Sequence, residues 1–229
     1  MQEEISKHSR KIYKTVKNPK HTVNEKIKEI IVEIFIIVFA VSLSIWLHGW
    51  SEHRHEQKES NKFLKELKTD LEADAKLIEE NKKILSSLDS DYKFILSLKN
   101  QKIPVTDSLV GSHSNFYLLG SAFNVGRYEG FKSSGKIGTI ENDSLKNQIL
   151  AYYQQTLPNL TFRVNFLNSE QLKIKDSDPG SLNLSDFYKS QRMQSNYSNL
   201  SYNSKGLIDE YQNALNQINQ ILKEIDSEK

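Results

Sequence analysis

The sequence predicts an all-α protein: one N-terminal transmembrane helix continuing into an extracytoplasmic helical bundle of about four long helices. Three observations predict it. Residues 34–51 run for 18 consecutive positions without Asp, Glu, Lys or Arg. Beyond them, apolar residues recur in steps of three, four and seven, which is the helical period. No run alternates apolar with polar side chains as a half-buried strand does. Composition agrees. Hydrophobic residues are only 37% of the chain, so they must be concentrated where they act, and four prolines with nine glycines leave room for long helices.

The predicted organisation is a basic cytoplasmic tail over 1–29, a transmembrane helix over 30–50 and a helical domain over 51–229. At 1.5 Å per residue, a helix from Ile30 to Trp50 is about 30 Å long, the thickness of the hydrocarbon core. Trp46 and Trp50 are interfacial anchors at its end, where indole rings favour the headgroups. Lys26 and Lys28 mark the other end. Two other readings compete. A buried soluble helix would need an all-apolar surround that this polar chain lacks. A cleaved signal peptide would use Ala40-Val41-Ser42, but the charged stretch before it is long and the apolar run continues past it.

Direction across the bilayer follows the flanking charges. Residues 1–29 hold eight Lys/Arg against four Glu, which favours the N-terminus inside. Within fifteen residues of the helix the flanks tie: Lys17, Lys20, Lys26 and Lys28 against Arg54, Lys58, Lys62 and Lys65.

Glu33, Ile37, Ala40, Ser44 and His48 fall within about 80° of one another at 100° per residue, so they share one helix face. Ala40 and Ser44 form a small-xxx-small pair that lets helices approach closely. An acid in a membrane helix faces protein or water. The face is therefore a helix-packing surface for a second copy or a partner subunit, or else Glu33 snorkels to the headgroups and the small residues are incidental. Glu52-His53-Arg54-His55 spells Glu-x-x-His, a unit that di-iron bundles use twice. One copy predicts no metal site.

The soluble part begins with a stripe at Leu64, Leu67, Leu71, Ile78, Leu85, Leu88, Tyr92 and Ile95. No Pro or Gly lies between Trp50 and Pro104, so this helix can run on from the anchor. Residues 101–115 read as a loop, and Phe116–Phe123 as a short apolar piece. Arg127–Ser134 reads as a helix and 135–142 as a connector. Asn142 or Asp143 caps a helix through Leu145, Ile149, Tyr152, Tyr153, Leu157, Leu160, Val164, Leu167 and Leu172, with Pro158 at a kink or a join. Asp176 to Ser185, with Asp178-Pro179-Gly180, is a loop, and Asp186–Met193 a helix. The last helix carries Leu207, Tyr211, Leu215, Ile218, Leu222 and Ile225. Tyrosines 152, 153, 197, 202 and 211 are expected in a core or interface.

Three segments resemble an uncharacterised family of bacterial single-pass membrane proteins, a domain of unknown function. The first is the Glu-led apolar helix Glu33 to Ser44 with the exit Trp50-Ser51-Glu52. The second is Phe63 to Asp74, similar to F-L-x-x-L-x-x-D-L-x-x-D. The third is Ser133-Ser134-Gly135-Lys136-Ile137 with Ile140, Asn142 and Leu145 to Tyr153. The likeness covers roughly residues 28–155. Ala40 stands where the family commonly has glycine, and His48-Gly49 where it has polar amides. The resemblance implies an inner-membrane protein with a periplasmic helical domain, and it supplies no activity.

Catalytic signals are weak. Gly130 to Lys136 spells GxxxxGK, but Ile137 replaces the Ser or Thr of a P-loop and no strand precedes it. A turn using Gly135 is the better reading. His113 sits between Ser112 and Ser114, but sequence neighbours are not a triad, and a solvated loop histidine is expected. With a net charge of +2, nucleic acid is not a partner. The absence of cysteine excludes disulfides, thiol catalysis and Cys-based zinc sites. No cofactor is expected.

The expected function is a non-enzymatic membrane-anchored assembly or scaffold protein. Its partners are the lipid bilayer and either a second copy or another envelope protein. The alternative is a periplasmic ligand-sensing domain that signals through a partner, favoured by a buried polar pocket.

Overall fold

The computed structural model describes residues 2–17, 23–101, 105–177, 179–180 and 182–228. Lys20, His21, Pro104 and Asp178 lie outside the described residues, as does the Lys26 side chain. Among the described residues every regular element is helical. The chain divides into two units, Met1–Glu59 and Ser60–Lys229.

In the first unit, α1 (Gln2–Lys17) is a helix where the sequence reads as a tail. The long helix α2 (Val23–Ser97) supplies the rest of this unit and opens the second. Its start at Val23 precedes the apolar run because Glu25, Lys26, Lys28 and Glu29 are all good helix formers.

The second unit rests on three long helical runs rather than four. The first is the 60–97 part of α2. The second joins α5 (Asp143–Ala151) to α6 (Leu157–Lys175). The third is α8 (Gln191–Ser227). Hydrogen bonds fix their directions. Lys68 donates to Asp226, Asn81 to the Tyr211 hydroxyl and Gln194 to the Ile95 carbonyl, so α8 runs antiparallel to α2. Gln148 pairs with Glu224, Thr156 with Gln217 and Arg163 with Glu210, so α8 is also antiparallel to α5 and α6.

Leu67, Leu71, Ile78, Leu85, Leu88 and Ile95 of α2 are fully buried between these helices, with Leu145, Ile149, Val164, Leu207, Tyr211 and Ile218. Each such side chain contributes about 1.5–3 kcal/mol by leaving water. Tyr152, Tyr153, Tyr197 and Tyr211 are core residues as expected, but Tyr202 is 81% exposed. It lies on the solvent face of α8, off the stripe Leu200–Ser204–Leu207–Tyr211.

The join at Pro158 is a π turn. Residues 152–156 form a π-helical segment in which the Leu157 N–H donates to the Tyr152 carbonyl. Pro158 then occupies the first turn of α6, a position that tolerates proline. Asn142 is the cap of α5, its side chain accepting from the Leu145 N–H at 3.0 Å.

Three short helices depart from or refine the expected boundaries. The stretch read as a loop contains α3 (Asp107–Ser112), started by Thr106 Oγ1 accepting from the Leu109 N–H. α4 (Gly126–Ser133) is as expected. α7 (Leu184–Lys189) ends at Ser190, whose extended backbone breaks the helix and whose hydroxyl accepts from the Met193 N–H to start α8. So the expected 186–193 helix is two pieces, and α8 begins well before Leu207. The capping hydroxyl satisfies an end amide that a continuous helix would not expose.

Between α3 and α4 the chain returns along the bundle as an extended segment, residues 114–124. It has no sheet partner. Side chains of α2 and α6 take over the ladder's role. Asn168 accepts from the Leu119 N–H and donates to its carbonyl, both at 2.9 Å. Asn81 does the same for Gly120, at 2.9 and 2.8 Å. Gln171 Oε1 accepts from the Tyr117 N–H and Asp74 from the Asn124 N–H. Gly120 suits the close approach, since a Cβ there would lie 2.7 Å from Leu77 Cδ1.

Candidate functional site

In the first unit, α2 carries an apolar belt facing outward. Ile31, Val32, Ile34, Phe35, Val38, Phe39, Leu43, Ile45 and Leu47 are 41–68% exposed. The most apolar 18-residue window of the helix has a mean hydropathy of 2.7 and is only 6% buried. It is long and apolar enough to cross a membrane. Trp46 and Trp50 at its end are 63% and 51% exposed, with the Arg54 guanidinium 4.7 Å above the Trp50 ring.

The stripe on this helix has a partner within the chain. Glu33 is 4% exposed. Its carboxylate meets His8 Nδ1 at 2.5 Å and the Lys11 ammonium, both from α1. Hydrogen bonding to Glu33 raises the Lys11 pKa above its ordinary value. Ile37 and Ser44 are half-buried, whereas Ala40 and His48 are exposed. Glu33 is thus paired within the chain, with partners that neither sequence reading named. The missed signal was His8 and Lys11 themselves. They are three apart, so they share a face of α1 and reach one acid together.

The histidines downstream do not gather. His55 Nε2 lies 3.7 Å from Glu59 Oε1, one turn on. Among the described residues no group of three His, Asp or Glu side chains is placed to hold a metal ion.

In the second unit, His113 is not a solvated loop residue. Its Nδ1 meets Asp91 Oδ1 at 2.9 Å, and its ring stacks on Phe94 with centroids 4.0 Å apart. Asn115 donates to the other Asp91 oxygen at 2.8 Å. Asp91 is 8% exposed, so these donors compensate a nearly buried carboxylate. Ser112 and Ser114 donate to the carbonyls of Leu109 and Gly111, not to the imidazole. The pair ties the 113–115 stretch to α2. The GxxxxGK stretch is the last turn of α4 and the turn that follows it, with Gly135 at φ +75°.

Asp74 is the most buried acid, with no exposed surface. It accepts from Asn124 N and Nδ2 at 3.0 and 2.8 Å, and faces the Tyr152 hydroxyl at 3.4 Å. Burial raises its pKa above the ordinary 3.8, against the Asn124 hydrogen bonds that lower it. Here the folded form holds its proton to higher pH than the unfolded chain. Its contribution is full below 3.8 and is lost as pH rises through the folded value. Asp74→Asn should remove this slope. The urea midpoint of the variant, relative to that of the unchanged protein, is expected to climb with pH above about 4. Parallel midpoint curves would contradict it.

A family model described as a family of unknown function, DUF6090, matches residues 31–224. No curated protein and no solved structure matches the chain.

Proposed function

The chain belongs to the DUF6090 family of unknown function, and from its own geometry we propose a membrane-anchored, non-enzymatic assembly protein. The observation that carries this reading is the outward apolar belt of α2. Such a surface is costly in water and stable in lipid. On this reading, residues 30–50 cross the bacterial inner membrane once. The basic stretch before them lies in the cytoplasm and residues 51–229 in the periplasm. The eight Lys/Arg of residues 1–29 support that direction.

Assembly would use the face of Ala40 and Ser44. Glu33 is already paired within the chain, so this face needs no ionic partner. What it offers is close approach between helices, to a second copy or another envelope protein. Leucine at both positions should weaken association. In mild detergent the double variant Ala40→Leu/Ser44→Leu is expected to shift toward smaller species and to lose crosslinked partners. Unchanged oligomer size and partner recovery would overturn the assembly reading.

A further inference from the structure

The second unit contains a cavity that the assembly reading does not use. It lies where α6, α7 and α8 meet the start of the extended segment, and measures about 220 Å³. That is below the roughly 300–1,000 Å³ of drug-sized sites, so it suits a compact molecule. Phe116, Phe187, Tyr188 and Tyr197 supply aromatic surface to its wall. The Tyr188 ring meets Phe187 and Tyr197 edge-on, at 5.1 and 5.6 Å.

Its polar side comes from one face of α6. Gln171 and Lys175 are one turn apart, and both line the cavity. Gln171 is 3% exposed. Its Oε1 accepts from the Tyr117 N–H at 3.4 Å. Its Nε2 is buried and has no hydrogen-bond partner. Leaving such a donor unpaired costs about 1–3 kcal/mol, a cost that a bound acceptor would remove. The Lys175 ammonium lies 4.7 Å from the Phe116 ring centroid. None of the described residues lining the cavity is acidic.

A buried N–H donor and a cation select an anionic head with acceptor oxygens. The aromatic wall selects a flat apolar body. We propose that this cavity binds a small aryl-substituted carboxylate. Its ring packs against Phe116, Phe187, Tyr188 and Tyr197, and its carboxylate meets the Gln171 amide and the Lys175 ammonium. The site lies wholly within residues 60–229 and does not depend on the membrane reading.

The test uses the full chain in lipid nanodiscs, titrated calorimetrically with phenylacetate and with neutral 2-phenylethanol. Phenylacetate should bind saturably with Kd near or below about 1 mM, the range open to about ten non-hydrogen atoms. Lys175→Gln should weaken phenylacetate about tenfold and leave 2-phenylethanol nearly unchanged. Gln171→Met should weaken both ligands, since each loses the same donor. Transferred NMR effects from the ligand ring to the Tyr188 and Tyr197 ring protons provide a readout in the unmutated chain. The proposal is overturned if phenylacetate fails to saturate by about ten times that Kd. It is equally overturned if Lys175→Gln weakens the two ligands alike, or if both variants bind as the unmutated chain does.

Discussion

Asn81→Leu is expected to destabilise the 60–229 unit by about 3–5 kcal/mol. Asn81 is 1% exposed and makes three hydrogen bonds. Leucine has nearly the same volume, so no large cavity opens and the loss is polar. The Tyr211 hydroxyl would lose a partner in the interior, and the Gly120 N–H and carbonyl would lose theirs where the chain is half-buried. Each orphan costs about 1–3 kcal/mol, and the extra apolar burial returns only part of that. Domains are stable by about 5–15 kcal/mol in total, so the loss is a large share. Urea unfolding followed by circular dichroism should show a lower midpoint with an unchanged slope. Lys82→Met provides the control. Lys82 pairs with Gln212 on the surface, and its loss should change stability by no more than about 0.5 kcal/mol. A fall below about 1 kcal/mol for Asn81→Leu would mean that packing alone holds the extended segment.

The largest effect on location is expected from Val38→Arg with Leu43→Arg. Both side chains point outward from α2, at 57% and 41% exposure. The change therefore disturbs little packing within the chain and acts mainly through the surroundings of the helix. An arginine near the centre of a membrane helix costs about 2.5–3.5 kcal/mol on insertion scales. Two cost about 5–7 kcal/mol, or roughly four to five powers of ten in partition at 1.4 kcal/mol per decade. After alkaline extraction, the unchanged protein should stay with the membrane pellet and the variant should leave it. If both remain in the pellet to the same extent, residues 30–50 are not the anchor.

Both expectations concern residues whose importance the sequence conveys unequally. The apolar run at 34–51 is visible at once, because hydropathy is a sum over neighbours. The stripes on α2, α6 and α8 are visible for the same reason. Asn81 is not. In the sequence it is one polar residue on a mostly polar helix, in Glu80-Asn81-Lys82. Its role comes from Gly120 and Tyr211, 39 and 130 residues away. The same holds for His113, whose partner Asp91 sits on another element, and for Glu33, whose partners lie on α1. Gln171 and Lys175 share a helix face by their spacing alone. Only the arrival of α7, α8 and Phe116 turns that face into a cavity wall.

By itself, then, the sequence determined that this is a helical protein with one long outward-facing apolar helix, and where most of the helices lie. Those properties depend on residues three or four apart. Tertiary structure alone decided two things. The chain between α3 and α4 is held extended by side-chain amides rather than by a sheet. Glu33 is paired within the chain. Each is a matter of hydrogen bonding. A buried amide, carboxylate or helix end must find a partner, and periodicity does not identify which distant residue packing will bring to it. The outward belt on α2 is the counterpart, because it requires no partner within the chain and so is already legible in the order of residues 31–50.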